Sequence, residues 1–216
     1  MNKAGEQPHS NAQAGQDGRM FAPSAARNVA PIIEAMTPFL PDTGYALELA
    51  SGTGEHVIAF ADAFPEIVWQ PTDIQVDRLI SIDAWRAVAG AQNMRMAQML
   101  NAARDDWQAG AFDVVVTVNL LHLIAKTEAQ NVIRGVARAL QPGGRWLVYG
   151  PFRSDGGFRS DGDMAFDASL RGHDSAIGYK DIEWVQSELE AAGLARVALV
   201  EMPANNLILV AQAPVT

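Results

Sequence analysis

Ala46-Leu47-Glu48-Leu49-Ala50-Ser51-Gly52-Thr53-Gly54-Glu55-His56-Val57 decides the reading of this chain. An apolar run closes on an acid, a turn with two glycines follows, and helical spacing begins at Val57. This is strand, tight turn and helix, the unit with which a doubly wound sheet holds a nucleoside-type ligand. Glycine suits the turn because the backbone must bend sharply and come close to the ligand, which a Cβ obstructs. Glu48 then sets the sign of what lies above it, since a carboxylate repels a phosphate and attracts an ammonium or a sulfonium.

That contrast separates S-adenosylmethionine, with its amino group and sulfonium, from NAD and ATP, which bring phosphates. The dinucleotide fingerprint ends on glycine or alanine, and here that position is Val57. Asp73 closes the second strand, where a carboxylate can accept both ribose hydroxyl protons, although Asp there also caps the following helix. Asn101 ends a weak third strand, where its carbonyl can accept from an adenine amino group or serve an ordinary loop.

Around this core the chain alternates as a mostly parallel sheet with helical crossovers does. The pattern predicts strands over 45–50, 67–70, 94–100, 114–119 and 145–149. Helices are expected over 54–64, from after Asp73 to Gly90, and over 126–140. The run 114–119 is nearly all apolar, as in a central strand covered on both faces. Ahead of the sheet, Pro23 starts a short helix through Asn28 and Pro31 starts a second to Leu40. Residues 150–178 are rich in Gly, Asp, Ser and Arg and read as a long functional loop. A helix over 180–192 leads to two apolar runs, 195–202 and 207–211, joined by Pro203-Ala204-Asn205-Asn206, a link short enough only for an antiparallel pair. The fold class expected is α/β, a Rossmann-like doubly wound, mostly parallel sheet ending in an antiparallel hairpin.

Composition narrows the function. The 216 residues are 49% hydrophobic, enough for one buried α/β domain, expected over 20–216 behind a disordered tail over 1–19. A net charge of -9 disfavours a broad grip on nucleic acid, with Arg153, Arg159 and Arg171 as the one candidate basic patch. Absence of cysteine removes disulfides and thiolate chemistry, and the four histidines are too scattered to suggest a metal. The sequence has neither a membrane span nor a secretory signal, so the expected compartment is cytoplasmic.

Asn119 and His122 follow the fourth strand at the edge where open α/β sheets build their crevices. His122 there can take a proton from a hydroxyl or amine, or can cap backbone carbonyls and pack beneath the next helix. The chain resembles the domain-of-unknown-function 938 family of methyltransferase-like proteins. The resemblance rests on Pro23-Ser24-Ala25-Ala26-Arg27-Asn28, Glu48-x-Ala50-Ser51-Gly52-Thr53-Gly54-Glu55-His56, Trp69-Gln70-Pro71-Thr72-Asp73, Tyr149-Gly150-Pro151-Phe152, Phe166-Asp167-x-Ser169-Leu170-Arg171 and Met202-Pro203-Ala204-Asn205-Asn206-Leu207. It implies the class I methyltransferase fold and S-adenosylmethionine as cofactor, and leaves the acceptor open. The cofactor residues expected are Glu48, Ala50, Gly52, Gly54, Asp73, Asn101 and Asn119, with Arg27 and Asn28 folding over the cofactor mouth or capping a helix. Asn119 is followed by Leu120 and Leu121, not by the Pro-Pro-aromatic run of amide and adenine methyltransferases, which favours a small-molecule acceptor. Asp167 and Arg171, four apart, pair as a structural ion pair if their stretch is helical. A nicotinamide-dependent oxidoreductase and a noncatalytic cofactor-binding module are the competing readings.

Overall fold

The computed structural model describes residues 12–108 and 110–216. The central strands are β1 (Gly44–Leu49), β2 (Ile67–Asp73), β3 (Gln98–Met99), β4 (Phe112–Val118), β5 (Leu140–Arg153), β6 (Ala195–Glu201) and β7 (Asn206–Gln212). They lie in the order β3-β2-β1-β4-β5-β7-β6, and Lys180–Asp181 pairs off this path onto the end of β5. The ladders from β3 to β5 are parallel, whereas β7 is antiparallel to both β5 and β6.

Among the described residues the helices are α1 (Pro23–Met36), α2 (Glu55–Ala63), α3 (Val76–Ala89), α4 (Lys126–Ala139), α5 (Asp161–His173) and α6 (Ile182–Ala191). Strand alternation sorts the core into two layers. Ala46, Val114, Val116 and Leu147 pack with Ile32, Met36, Phe60 and Ile82 on the side of α1–α3. Leu47, Leu49, Val115 and Val148 pack with Ile133, Val136, Val185 and Leu189 on the side of α4 and α6. The unbroken apolar run in β4 follows directly, because both of its faces are covered.

Several elements differ from expectation. The two short helices expected over 23–40 are one helix, α1, with Pro31 inside it and a 3-10 turn, Thr37–Phe39, after it. Pro31 removes the donor for the Arg27 carbonyl, but Ala25, Ile32 and Met36 are buried along one face, and that packing carries the helix through. β5 extends well beyond 145–149, because β7 continues the ladder to Pro151 opposite Asn206.

The long loop expected over 150–178 contains α5. The Ser160 side chain accepts from the Asp163 N–H, Asp161 and Asp163 occupy the first turn, and Arg171 and His173 the last. That arrangement satisfies a free N–H and complements the helix dipole at both ends. Helicity brings Asp167 and Arg171 together at 2.7 Å. Arg153 pairs with Asp181 and Arg159 with Glu201, so the three arginines considered as a basic patch are each committed to an acid.

Of the tail expected over 1–19, residues 1–11 lie outside the described residues. Gln13–Ala14 is a strand paired with Met20–Phe21. It is held there because Met20 N–H donates to Ser81 Oγ (2.7 Å), Trp85 Nε1 donates to the Met20 carbonyl (3.1 Å), and Arg19 stacks over the Trp85 ring. No helix of the described residues is long and apolar enough to cross a membrane.

Candidate functional site

Because β2 and β4 flank β1, successive crossovers leave in opposite directions from β1, and a crevice opens at the carboxyl ends of β1 and β4. A cavity of about 750 Å³ lies there, walled by the glycine turn, the N-terminal half of α1, the ends of β2, β4 and β5, and parts of α5 and the β6–β7 turn. That size suits a cofactor together with a small molecule.

The turn after β1 is held in a set shape. Ser51 N–H donates to the Thr72 carbonyl (2.8 Å), and Thr72 N–H returns to Ser51 Oγ (3.2 Å). Ala50, Gly52 and Gly54 have φ of 55°, 58° and 93°, left-handed values that cost little at glycine and strain Ala50. Where a Gly52 side chain would project, no protein atom lies within 4 Å, and Gly52 lines the cavity.

Gly54 does not line it. A Cβ there would meet Ile82 Cα at 2.9 Å and Trp85 Cδ1 at 3.2 Å, so Gly54, expected from the sequence to lie against the cofactor, instead permits close packing of α2 on α3. The spacing of the two glycines resembles a pair of ligand contacts; only the first faces the cavity.

Glu48, next to last in β1, lines the cavity while only 1% exposed, and its Oε2 has no hydrogen-bond partner. Burial pushes its carboxyl up to about 8, with nearby Asp73 adding to the rise and Ser51 opposing it. An unpartnered buried acid is costly unless a ligand completes it.

Asp73 lines the cavity and at the same time tethers backbone on two segments. Its Oδ2 accepts from Gly52 N–H (2.9 Å) and its Oδ1 from Gln75 N–H (3.0 Å), so it ties the glycine turn to the start of α3 while lining the cavity. Burial raises its carboxyl, and these backbone donors oppose the rise. Asn101 also lines the cavity, with its Oδ1 accepting from Ala103 N–H (3.0 Å).

Arg27 and Asn28 reach the cavity from α1 rather than capping a helix. Asn28 Oδ1 is 2.8 Å from His56 Nε2, and the Asn28 side chain also hydrogen-bonds Tyr149. Burial lowers the His56 imidazole to about 4, which keeps it neutral at pH 7. A neutral ring donates to the Asn28 oxygen, and the amide group of Asn28 is then oriented toward Tyr149.

Asn119 takes φ of 55° at the end of β4 and donates its N–H to the Tyr149 carbonyl (2.9 Å). His122 follows on the 3-10 turn Leu121–Leu123, 6% exposed, with its carbonyl accepting from Gly178 N–H (2.9 Å). It lines the cavity beside Phe166 of α5 and Tyr179, with ring centroids 6.0 and 6.2 Å away. Behind them Asp163 accepts from Tyr179 Oη, Ser160 Oγ and Asn205 Nδ2, fastening α5 to the β6–β7 turn.

The cavity thus gathers Glu48, Ala50, Gly52, Asp73, Asn101, Asn119, His122, Arg27 and Asn28. Sequence reasoning missed His56, Tyr149, Phe166 and Tyr179. Tyr149 was readable, as the aromatic residue closing the strand expected over 145–149 at the same edge; the others depend on the placement of segments outside the sheet. Among the described residues no cluster of His, Asp and Glu is arranged to hold a metal.

The family described as "Protein of unknown function (DUF938)" matches residues 19–213. An O-methyltransferase family protein from Burkholderia thailandensis superposes with a TM-score of 0.74 at 19% identity, over 88% of this chain and 58% of that one. CalO1, a methyltransferase of calicheamicin biosynthesis in its SAH-bound form, matches with a TM-score of 0.71 at 19% identity, over 88% and 54%. The chain therefore spans little more than half the length of these two. YcgJ from Bacillus subtilis matches at 0.68 and 15% identity, over 88% of this chain and 99% of its own. These likenesses show the class I methyltransferase fold.

Proposed function

The chain belongs to the DUF938 family, and from that premise we propose that it is an S-adenosylmethionine-dependent methyltransferase acting on a small molecule. The observation that carries the reading is Glu48: a buried acid in the cavity lining, one of its oxygens without a hydrogen-bond partner, beside the open cradle at Gly52. These residues fit a ligand that brings an ammonium and a sulfonium and do not fit one that brings a pyrophosphate.

In this reading Glu48 takes the amino group, Asp73 the ribose through the outer lone pairs of its oxygens, and the backbone at Gly52 lies against the ligand. Asn101 borders the base, Asn119 borders the sulfur end, and Arg27 offers a guanidinium to the carboxylate. When bound, the cofactor would supply an activated methyl group on a positively charged sulfur, and the residues named here would hold it facing the acceptor half of the cavity. The protein's part is mainly orientation, which alone can supply roughly 7–11 kcal/mol. Small-molecule acceptors are supported by the size of the cavity and by structural neighbours such as an O-methyltransferase family 2 protein from Planctomyces limnophilus in complex with apigenin.

A thermal-shift comparison of S-adenosylhomocysteine, NAD and ATP tests the proposal. Stabilisation by S-adenosylhomocysteine alone is expected, about 2.7 kcal/mol at a hundredfold excess over its dissociation constant. Stabilisation by NAD alone would overturn it in favour of the oxidoreductase.

A further inference from the structure

The charge of the cavity is divided. Glu48, Asp73, Arg27 and Arg78 all stand on the side of α1, β1, β2 and α3. The wall built from β4, β5, α5 and the β6–β7 turn includes no acid, lysine or arginine among the described residues. Charged groups near that wall are engaged behind it. Asp163 holds Tyr179, Ser160 and Asn205, while Asp167 accepts from Tyr179 N–H (2.6 Å) and Arg171. Lys180 donates to the carbonyls of Ile124 (2.6 Å) and Gly178 (2.8 Å). A charged acceptor entering this half would lose its water without gaining a counter-charge, a penalty of several kcal/mol.

His122, Phe166 and Tyr179 form a triangle of rings with centroids 6.0, 6.1 and 6.2 Å apart and planes inclined by 59° to 72°. At those separations the rings contact one another, so no gap remains between them for a cation, as an aromatic cage requires. They make one contiguous aromatic wall of tilted rings, on which a flat ligand meets the face of one ring and the edges of its neighbours, continued by Leu123 and Ile177.

We propose that the acceptor is an uncharged, planar aromatic compound bearing a hydroxyl group, its ring on the His122-Phe166-Tyr179 wall and its hydroxyl toward His122. The inference rests on the methyltransferase reading above and deepens it. A phenol releases its proton near pH 10 and an aliphatic alcohol holds its own far more tightly, so only the phenol is within practical reach of an imidazole base. The phenol oxygen forms the bond to the methyl carbon, the C–S electron pair stays on sulfur, and His122 receives the phenolic proton.

The test uses the full chain saturated with S-adenosylhomocysteine and three ring probes, 2-naphthol, 2-naphthoate and 2-naphthylmethylammonium, with binding followed by ligand-observed NMR. The neutral probe is expected to bind at least tenfold more tightly than either charged one. Phe166→Ala, at a residue 38% exposed, should weaken 2-naphthol about tenfold with S-adenosylhomocysteine affinity unchanged. Equal or tighter binding of a charged probe overturns the proposal, and so does failure of 2-naphthol to bind protein that does bind S-adenosylhomocysteine. Protein that binds no S-adenosylhomocysteine overturns the methyltransferase reading itself.

Discussion

Replacing Glu48 with Gln should stabilise the ligand-free protein, and by an amount that depends on pH. Burial holds the Glu48 carboxyl at about 8 against an ordinary value of 4.5. Its folded-state affinity for a proton is therefore raised, so its contribution is fully present below pH 4.5 and is lost as pH rises through about 8. At 1.36 kcal/mol per pH unit the loss across that window is at most about 5 kcal/mol. The glutamine side chain would have nearly the same shape and no proton to lose. Urea denaturation of both proteins at pH 5.5, 7 and 8.5 reads the difference, provided the dependence on urea concentration is the same for both. The stability gap in favour of Glu48→Gln should widen by more than about 2 kcal/mol across that series. A gap that stays constant with pH would refute the reasoning, because the carboxyl would then be solvated or partnered in the folded state.

The two glycines of the turn should part company. Gly54→Val should lower the melting temperature, since overpacking against Ile82 costs about 1–3 kcal/mol, while calorimetry on the folded fraction finds S-adenosylhomocysteine affinity preserved. Gly52→Val should lose that affinity at least tenfold for about 1–2 kcal/mol of backbone strain, because its side chain projects into the cavity. Asp73→Ala, which leaves Gly52 and Gln75 N–H without their acceptor, should lower melting temperature and cofactor affinity together, the latter by about 1.5–3 kcal/mol. His122→Ala should cut turnover of a phenolic acceptor by about 10²- to 10⁴-fold with S-adenosylhomocysteine affinity intact. Preserved turnover per folded molecule would reduce His122 to its packing against Phe166 and Tyr179.

What was legible in the sequence was whatever depends on short-range pattern. The glycine turn, the parallel alternation and the closing antiparallel pair each have a local signature, and Glu48, Gly52 and Asp73 follow from the strand ends they occupy. α5 was hidden because its glycine- and aspartate-rich composition resembles a loop, although Ser160 three residues ahead of Asp163 is a capping signal that outweighs it. α1 was split in two because Pro31 breaks a helix by local rules, and only its packing face overrides them. The two roles of glycine in the turn depend on α3, which lies 28 residues further along at Ile82, and no spacing within the motif encodes that contact. The ring triangle joins three segments that are remote in sequence, so it exists only in the fold.

The central claim, that Glu48 meets a cationic ligand in this cavity, is tested most directly by calorimetric titration with S-adenosylhomocysteine at pH 7 in two buffers of different ionisation enthalpy. With its carboxyl pushed up to about 8 by burial, Glu48 is mostly protonated in the free protein at pH 7, and pairing with an ammonium expels that proton to the buffer. Binding with an enthalpy that differs between the buffers by close to one proton is the expected result, with the difference abolished in Glu48→Gln. Binding with the same enthalpy in both buffers, or binding of NAD in place of S-adenosylhomocysteine, would contradict the account.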